Sequence, residues 1–471
     1  MAATVRGAGD RYHPGMSAHR TTIHVSLASA ALASVCLLAS PAQAAPGCDW
    51  SAPTRLSGSD QAALPSVASG RPGQPAISFY RFGDDVRAIN SDGRTSTDLG
   101  TASSQPTPSM RPQLIATDQN SRGQAVAVFA LTAGKEGRIY AALRNANGKW
   151  QPRVLLTQPG AFGFYPQVAI DETGRSLAVW TQNTSTGGTY IVGRAVSAKG
   201  AKGKLFRLGS GESENAVIAL GGAGTVAVAW DEVAATSNPV WSAVSTDGGR
   251  EWSEASRVSA ASASTDNKSI AVSASGRVGL VWDQEQGGDS KAVQVVAAST
   301  KRDNSWIDPV ALSRGEYLSI NGGIATGDTN RFTVAWITGP VDGAAGRNVL
   351  KVASGLAIDS LSTPKRIDET TDAVELERAH VAVNARGVAA VVWERAWIDD
   401  EVQDGSVAGL MAAVRTDGRW QPEQKIRGWR ARPGYSRVGI DTAGGVTVAW
   451  NQREGDNVAV AMTQCSAGPV R

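Results

Sequence analysis

The sequence predicts an all-β chain folded as an eight-bladed β-propeller, with seven blades as the alternative count. Three observations predict it. First, a stretch ending in tryptophan recurs six times, at Trp180, Trp230, Trp282, Trp336, Trp393 and Trp450, and two weaker copies end at Phe79 and Phe129. Second, glycine stands in a turn ahead of most copies, at Gly123, Gly174, Gly224, Gly276, Gly387 and Gly444. Glycine supplies the positive φ that a tight hairpin needs. Third, the copies return roughly every fifty residues in β-rich units, which marks a repeat architecture.

Each repeat reads as four strands, a to d. Strand a is a short segment such as Gln167–Ile170. Strand b is apolar on both faces: Val226, Val228 and Trp230 on one, Ala227 and Ala229 on the other. A strand of that kind is covered on both sides, and alternating large and small faces let neighbouring sheets interlock. Strand c follows, as at Ile191–Val196 and Val293–Ala298, and strand d often opens on Trp with a nearby Pro, as at Trp150/Pro152, Trp306/Pro309 and Trp420/Pro422. Eight a–b units begin near Ser66, Gln113, Gln167, Ala216, Ser269, Gly323, His380 and Arg437. β-Branched residues and glycine punctuate every unit, so helix is a poor reading.

The last unit has strands a, b and c and then the chain stops. Trp50 and Pro53 match Trp420 and Pro422, so the N-terminal segment is expected to supply the missing d strand. That pairing sets Cys48 beside Cys465, and a bridge between them would close a loop of 417 residues. On the chain-entropy view such a bridge contributes ~5 kcal/mol. The rival reading makes Cys48 a lipidation site, although Ala45-Pro46-Gly47 before it lacks the usual aliphatic residue.

Residues 1–44 read as a secretory signal peptide. Arg11, His19 and Arg20 precede a small-residue apolar run from Val25 to Ser40, Ala42-Gln43-Ala44 fits the cleavage pattern, and Met16 is an alternative start. The expected mature chain is one propeller domain, 45–471, secreted or periplasmic, in a compartment that permits disulfides. The apolar run is too short for a membrane span and no other segment offers one. Cleavage removes three arginines and Asp10 and lowers the formal charge from +3 to +1. A nearly neutral chain carries no electrostatic footprint for nucleic acid or an acidic membrane. His13, His19 and His24 leave with the leader, so His380 stands alone and a multi-histidine zinc site is excluded. No metal and no cofactor are expected.

Ser245-Thr-Asp247-Gly-Gly249-Arg-Glu-Trp252 fits S-x-D-x-G-x-x-W, and Asn147-Gly-Lys-Trp150 and Asp417-Gly-Arg-Trp420 are shortened forms of it. The segment resembles the Asp-box, or BNR repeat, of the sialidase-type propellers, and the resemblance concerns the fold. It implies that these turns lie away from any catalytic face and carry structure rather than activity. Sialidase chemistry would further require an F/Y-R-I-P motif, three arginines on a carboxylate, and a Tyr–Glu pair with an Asp. Here Tyr80-Arg81-Phe82 lacks the proline and ends a b strand, while Arg111, Arg378 and Arg437 do stand near a-strand starts. No catalytic residue is assigned. A sialidase-like glycoside hydrolase remains the alternative, with Glu377, Asp399 and Glu401 as its candidate carboxylates.

By propeller convention the a strands line the central channel. Their first positions hold Ser66, Gln113, Gln167, Ser269, His380 and Arg437, with Ala216 and Gly323 in the other two units. This is a polar ring at the channel mouth, suited either to a ligand or to ordered water. The same face collects the loops Ala396-Trp397-Ile-Asp399-Asp400-Glu401 and Trp429-Arg430-Ala-Arg432-Pro-Gly-Tyr435. Trp241, Trp397 and Trp429 fall outside the repeating tryptophan columns. The candidate ligand-binding residues are therefore Gln113, Gln167, His380, Arg437, Trp397, Trp429 and Tyr435. Aromatic rings beside polar groups suit an extracellular glycan or protein as partner.

Overall fold

The computed structural model describes residues 48–466, apart from 58–60, 83–85, 103–114, 134–135, 185–186, 286–292, 302, 314–317, 328, 341–345, 371–373, 398–406, 429–432 and 456. The described residues belong to one compact unit, Ala45–Arg471. They form eight antiparallel sheets, the blades, each running a-b-c-d outward from the channel. The a strands are Gln61–Ala68, Ala116–Gln119, Phe162–Ile170, Ser213–Leu220, Thr265–Val272, Leu318–Thr326, Val374–Val383 and Pro433–Ile440. No described helix is long and apolar enough to cross a membrane.

The b-strand tryptophans hold the blades together. Trp180, Trp230, Trp282, Trp393 and Trp450 are 0% exposed and Trp336 is 1% exposed. The core lies between sheets rather than within one. Val179, Ile191 and Leu208 of blade 3 pack on Val228, Trp230 and Ala243 of blade 4, and the same arrangement continues round the ring. Trp241 belongs to this packing, paired across the strands with Trp230. It is repeat core and does not report function, because strand c faces the same inter-blade layer as strand b. The turn glycines behave as the pattern requires; Gly276, for example, has φ 82°.

The ring closes on the N-terminal segment. Asp49 and Trp50 pair with Ser466 and Cys465, and Thr54 and Arg55 pair with Met462 and Ala461. Ser51 N donates to Gln464 O at 2.8 Å, and Trp50 Nε1 donates to Gln424 Oε1 of blade 7 at 3.1 Å. Cys48 and Cys465 form a disulfide with their Cα atoms 5.6 Å apart. The lipidation reading of Cys48 is thereby displaced, because its sulfur is in the bridge.

The S-x-D-x-G-x-x-W turn is a closed hydrogen-bond latch. Ser245 Oγ donates to Asp247 Oδ1 at 2.7 Å and accepts Gly249 N–H at 2.8 Å. Asp247 Oδ1 also accepts Arg250 N–H at 2.9 Å and Glu251 N–H at 3.1 Å. Trp252 then lies against Phe206 of blade 3, centroids 5.0 Å apart. The Ser245 hydroxyl and the Asp247 carboxylate are both engaged within the turn itself.

Candidate functional site

The a strands are not regular. In seven blades the pairing of a with b slips where the strand enters the channel, between Ala63/Ser66, Phe164/Gln167, Glu214/Val217, Asp266/Ser269, Ile320/Gly323, Glu377/His380 and Gly434/Arg437. These are β-bulges, which bend a strand and re-aim side chains. The register also corrects one expectation: Val217, not Ala216, is the first residue after the bulge of blade 4, since the bulge takes up Asn215 and Ala216.

The first bulge residue adopts a left-handed backbone: Leu64 (φ 59°), Tyr165 (50°), Asn215 (54°), Asn267 (46°), Arg378 (51°) and Tyr435 (52°). Asparagine tolerates this region, but for Leu, Tyr or Arg it costs roughly 1–2 kcal/mol. Backbone strain of this kind persists where the surroundings over-determine it, and it gathers at binding sites. Five of the six side chains, Leu64, Tyr165, Asn215, Asn267 and Tyr435, line one cavity of about 630 Å³. Gln167, Ala216, Val217, Asp266 and Lys268 complete its wall.

In blades 4, 5 and 7 what over-determines the bulge is the residue immediately after the b-strand tryptophan; in blade 3 that residue, Thr181, makes no such bond. Asp231 is 1% exposed, Asp283 3% and Glu394 0%. Each accepts a bond from its own blade's bulge side chain: Asn215 Nδ2 to Asp231 at 3.3 Å, Asn267 Nδ2 to Asp283 at 2.8 Å, and Arg378 Nη1 to Glu394 at 2.8 Å. Each also holds the next blade. Lys268 Nζ reaches Asp231 at 2.5 Å, Gly322 N lies 3.5 Å from Asp283, and Ser436 N donates to Glu394 at 2.9 Å. Asn451 does the same in blade 8, accepting Leu64 N–H at 3.1 Å. Burial raises the Asp231 carboxyl above its usual range against the pull of Lys268, and burial raises Glu394 likewise.

Strand-a side chains add a second layer of clasps. Ser66 Oγ accepts Thr117 N–H at 3.0 Å and Ser269 Oγ accepts Ile324 N–H at 3.2 Å. Asp118 accepts Ile170 N–H at 2.9 Å and Gln119 N–H at 2.8 Å; burial lifts its pKa to about 6. Two members of the predicted polar ring, Ser66 and Ser269, thus knit neighbouring a strands.

The remaining expectations divide as follows. Gln167 and Tyr435 line the cavity. Tyr435 is 45% exposed, and the Arg378 guanidinium lies over its ring at 4.7 Å. His380 and Arg437 meet each other instead: Arg437 donates Nη1–H to His380 Nε2 at 2.7 Å and to Ser436 O at 2.8 Å. Burial, then Arg437 and Arg378, hold the His380 pKa well below its ordinary value, so the ring is neutral. Arg378 is bound by Glu377 and Glu394, both at 2.8 Å. Trp397 ends its b strand, paired with Val374. Gln113, Arg111, Asp399, Asp400, Glu401, Trp429, Arg430 and Arg432 lie outside the described residues. The sequence reading missed Tyr165, Asn215, Asn267 and Lys268. The signal was present in the acid or amide directly after Trp230, Trp282, Trp393 and Trp450. Among the described residues no group of His, Cys, Asp and Glu is placed to hold a metal ion.

No family model and no curated protein matches the chain. Solved structures do. A lectin, BP39L from Burkholderia pseudomallei, superposes with a TM-score of 0.51 at 15% identity, covering 76% of this chain and 96% of its own. A PL25 ulvan lyase bound to a GlcA–Rha3S fragment gives 0.48 at 11% identity, covering 80% and 96%. A Trypanosoma rangeli sialidase gives 0.35 at 11%, covering 68% and 57%. The likeness, at these identities, is one of fold alone.

Proposed function

We propose that the chain is an exported, non-catalytic propeller that binds an extracellular glycan at its channel mouth. The observation that carries the reading is the cavity of about 630 Å³ walled by strained bulge residues. Tyr165 and Tyr435 offer ring faces on which the apolar face of a pyranose stacks. Gln167, Asn215 and Asn267 offer amides and Asp266 offers a carboxylate for hydroxyl groups, while the Lys268 ammonium is held in its buried pair with Asp231. A preformed concave site with aromatic walls and a few polar groups is what small-ligand recognition needs. The leader expected at 1–44 and the Cys48–Cys465 bridge support export. The lectin among the solved propellers is a precedent for such a role on this fold, by analogy alone.

Hydrolysis is less well served. Glycoside cleavage generally needs two carboxyl groups flanking one bond. Asp266 is the one carboxylate among the described residues that wall the cavity, and Glu377 is held by Arg378. The test is a glycan array run beside a panel of chromogenic glycosides. The reading expects array binding with no turnover. Turnover that disappears with Glu377→Gln would establish the hydrolase alternative instead.

A further inference from the structure

The face opposite the cavity is built from the a–b turns and the c–d turns. In seven blades the residues that close these turns are six apart: 119/125, 170/176, 220/226, 272/278, 326/332, 383/389 and 440/446. Equal turns on equivalent strands bring these residues to one end of the ring. Six of the eight turns carry an arginine: Arg71, Arg122, Arg175, Arg277, Arg331 and Arg386.

The two faces treat their cations differently. Among the described residues, Lys268, Arg347, Arg378 and Arg395 on the loop face are each paired with a carboxylate, and Arg437 there bonds His380 and the Ser436 carbonyl. None of the six turn arginines is in such a pair. Arg71, Arg277 and Arg331 instead rest one N–H on a backbone carbonyl, of Ala146, Leu356 and Ser354, which leaves other donors of each guanidinium facing water. The six arginines outnumber the carboxylates of the a–b turns, Asp171, Glu172, Asp328 and Asp441, whose described members accept hydrogen bonds locally and keep their charge. Asp171 accepts Thr173 N–H and Arg175 N–H, Asp441 accepts Gly73 N–H, Ala443 N–H and Gly445 N–H, and Glu172 accepts Ser121 Oγ–H. The formal charge of +1 expected for the mature chain averages over this asymmetry.

A second observation falls on the same face. Leu356, 52% exposed, sits in the c–d connection of blade 6 beside Arg277. We propose that the turn face docks on an anionic phospholipid surface, with guanidinium groups on headgroup phosphates and Leu356 entering the interface. A ring of donors at one end of the propeller matches a plane of phosphates better than it matches a single extended polymer, which would need a groove. Basic side chains near an anionic bilayer contribute additively and are screened by salt. The cavity would then face away from the membrane. This inference stands apart from the glycan reading and survives its failure.

The test uses the purified protein, its N-terminus read by mass spectrometry so that an uncleaved leader is excluded. Co-sedimentation is measured with phosphatidylcholine vesicles and with vesicles containing about 30% phosphatidylglycerol. Binding is expected to the anionic vesicles only, and to be lost at high salt. The double reversal Arg122→Glu/Arg386→Glu, at two exposed turn positions, is expected to lower partition at least about tenfold with an unchanged melting curve. Leu356→Ser is expected to weaken it without changing its salt dependence. Equal binding to neutral vesicles, or a double variant that binds as well as the parent, would overturn the proposal. So would retention on sulfated dextran with no vesicle binding, which would assign the face to an acidic polymer.

Discussion

Asp231 shows most directly how single side chains set this site. It lies in a buried ion pair with Lys268, both side chains 2% exposed, and it also receives Asn215 and Thr265. Removing one partner of such a pair strands the other charge, at about 3–5 kcal/mol. Lys268→Ala is therefore expected to destabilise the protein by that order in urea titration. Asp231→Leu/Lys268→Met should cost clearly less than either single loss, since no charge is then stranded. Asp118 supplies a pH signature. Its folded pKa of about 6 is raised above the unfolded carboxyl value, so between roughly pH 4 and 6 the native state binds more protons than the unfolded chain. Its contribution to stability is fully present below about pH 4 and is lost as pH rises through 6. Asp118→Asn should flatten the fall in stability across that window, and an unchanged slope would show that another group governs it.

At the level of strands and turns, legibility followed locality. The b strand was plain because its information is contiguous: β-branched residues, small residues and a terminal Trp that the blade interface buries completely. Trp230→Ala would open a cavity between blades 3 and 4 and is expected to cost about 3–5 kcal/mol by chemical denaturation. The turns were equally plain, because Gly276 and its equivalents answer a local backbone demand. The a strand was not. Its bulge is imposed from outside, by Asp283 or Glu394 of a preceding b strand acting on Gly322 or Ser436 of the next blade. A pattern search along one strand does not see a partner forty residues away. Hence the first positions of the a strands were read from the sequence, while three residues that line the cavity stand one or two positions earlier, at Tyr165, Asn215 and Asn267. His380 drew notice as the one histidine outside residues 1–44, yet its neutral ring is a hydrogen-bond partner for Arg437.

For the molecule as a ring, closure and recognition depend on each other. The N-terminal strand and the Cys48–Cys465 bridge seal blade 8, and Tyr435 of that blade reaches the cavity that Tyr165 of blade 3 enters across the channel. Cys48→Ser/Cys465→Ser is expected to lower stability by up to ~5 kcal/mol and to loosen the Tyr435 wall before the Tyr165 wall, as read by hydrogen exchange in the two bulges. The cavity itself is the central claim, and calorimetric titration with a glycan selected from the array tests it most directly. Tyr165→Ala and Tyr435→Ala should each weaken binding about tenfold or more, the loss of one stacking face, while leaving the unfolding curve in place. Wild-type affinity in both variants would contradict it and move the binding site away from the channel mouth.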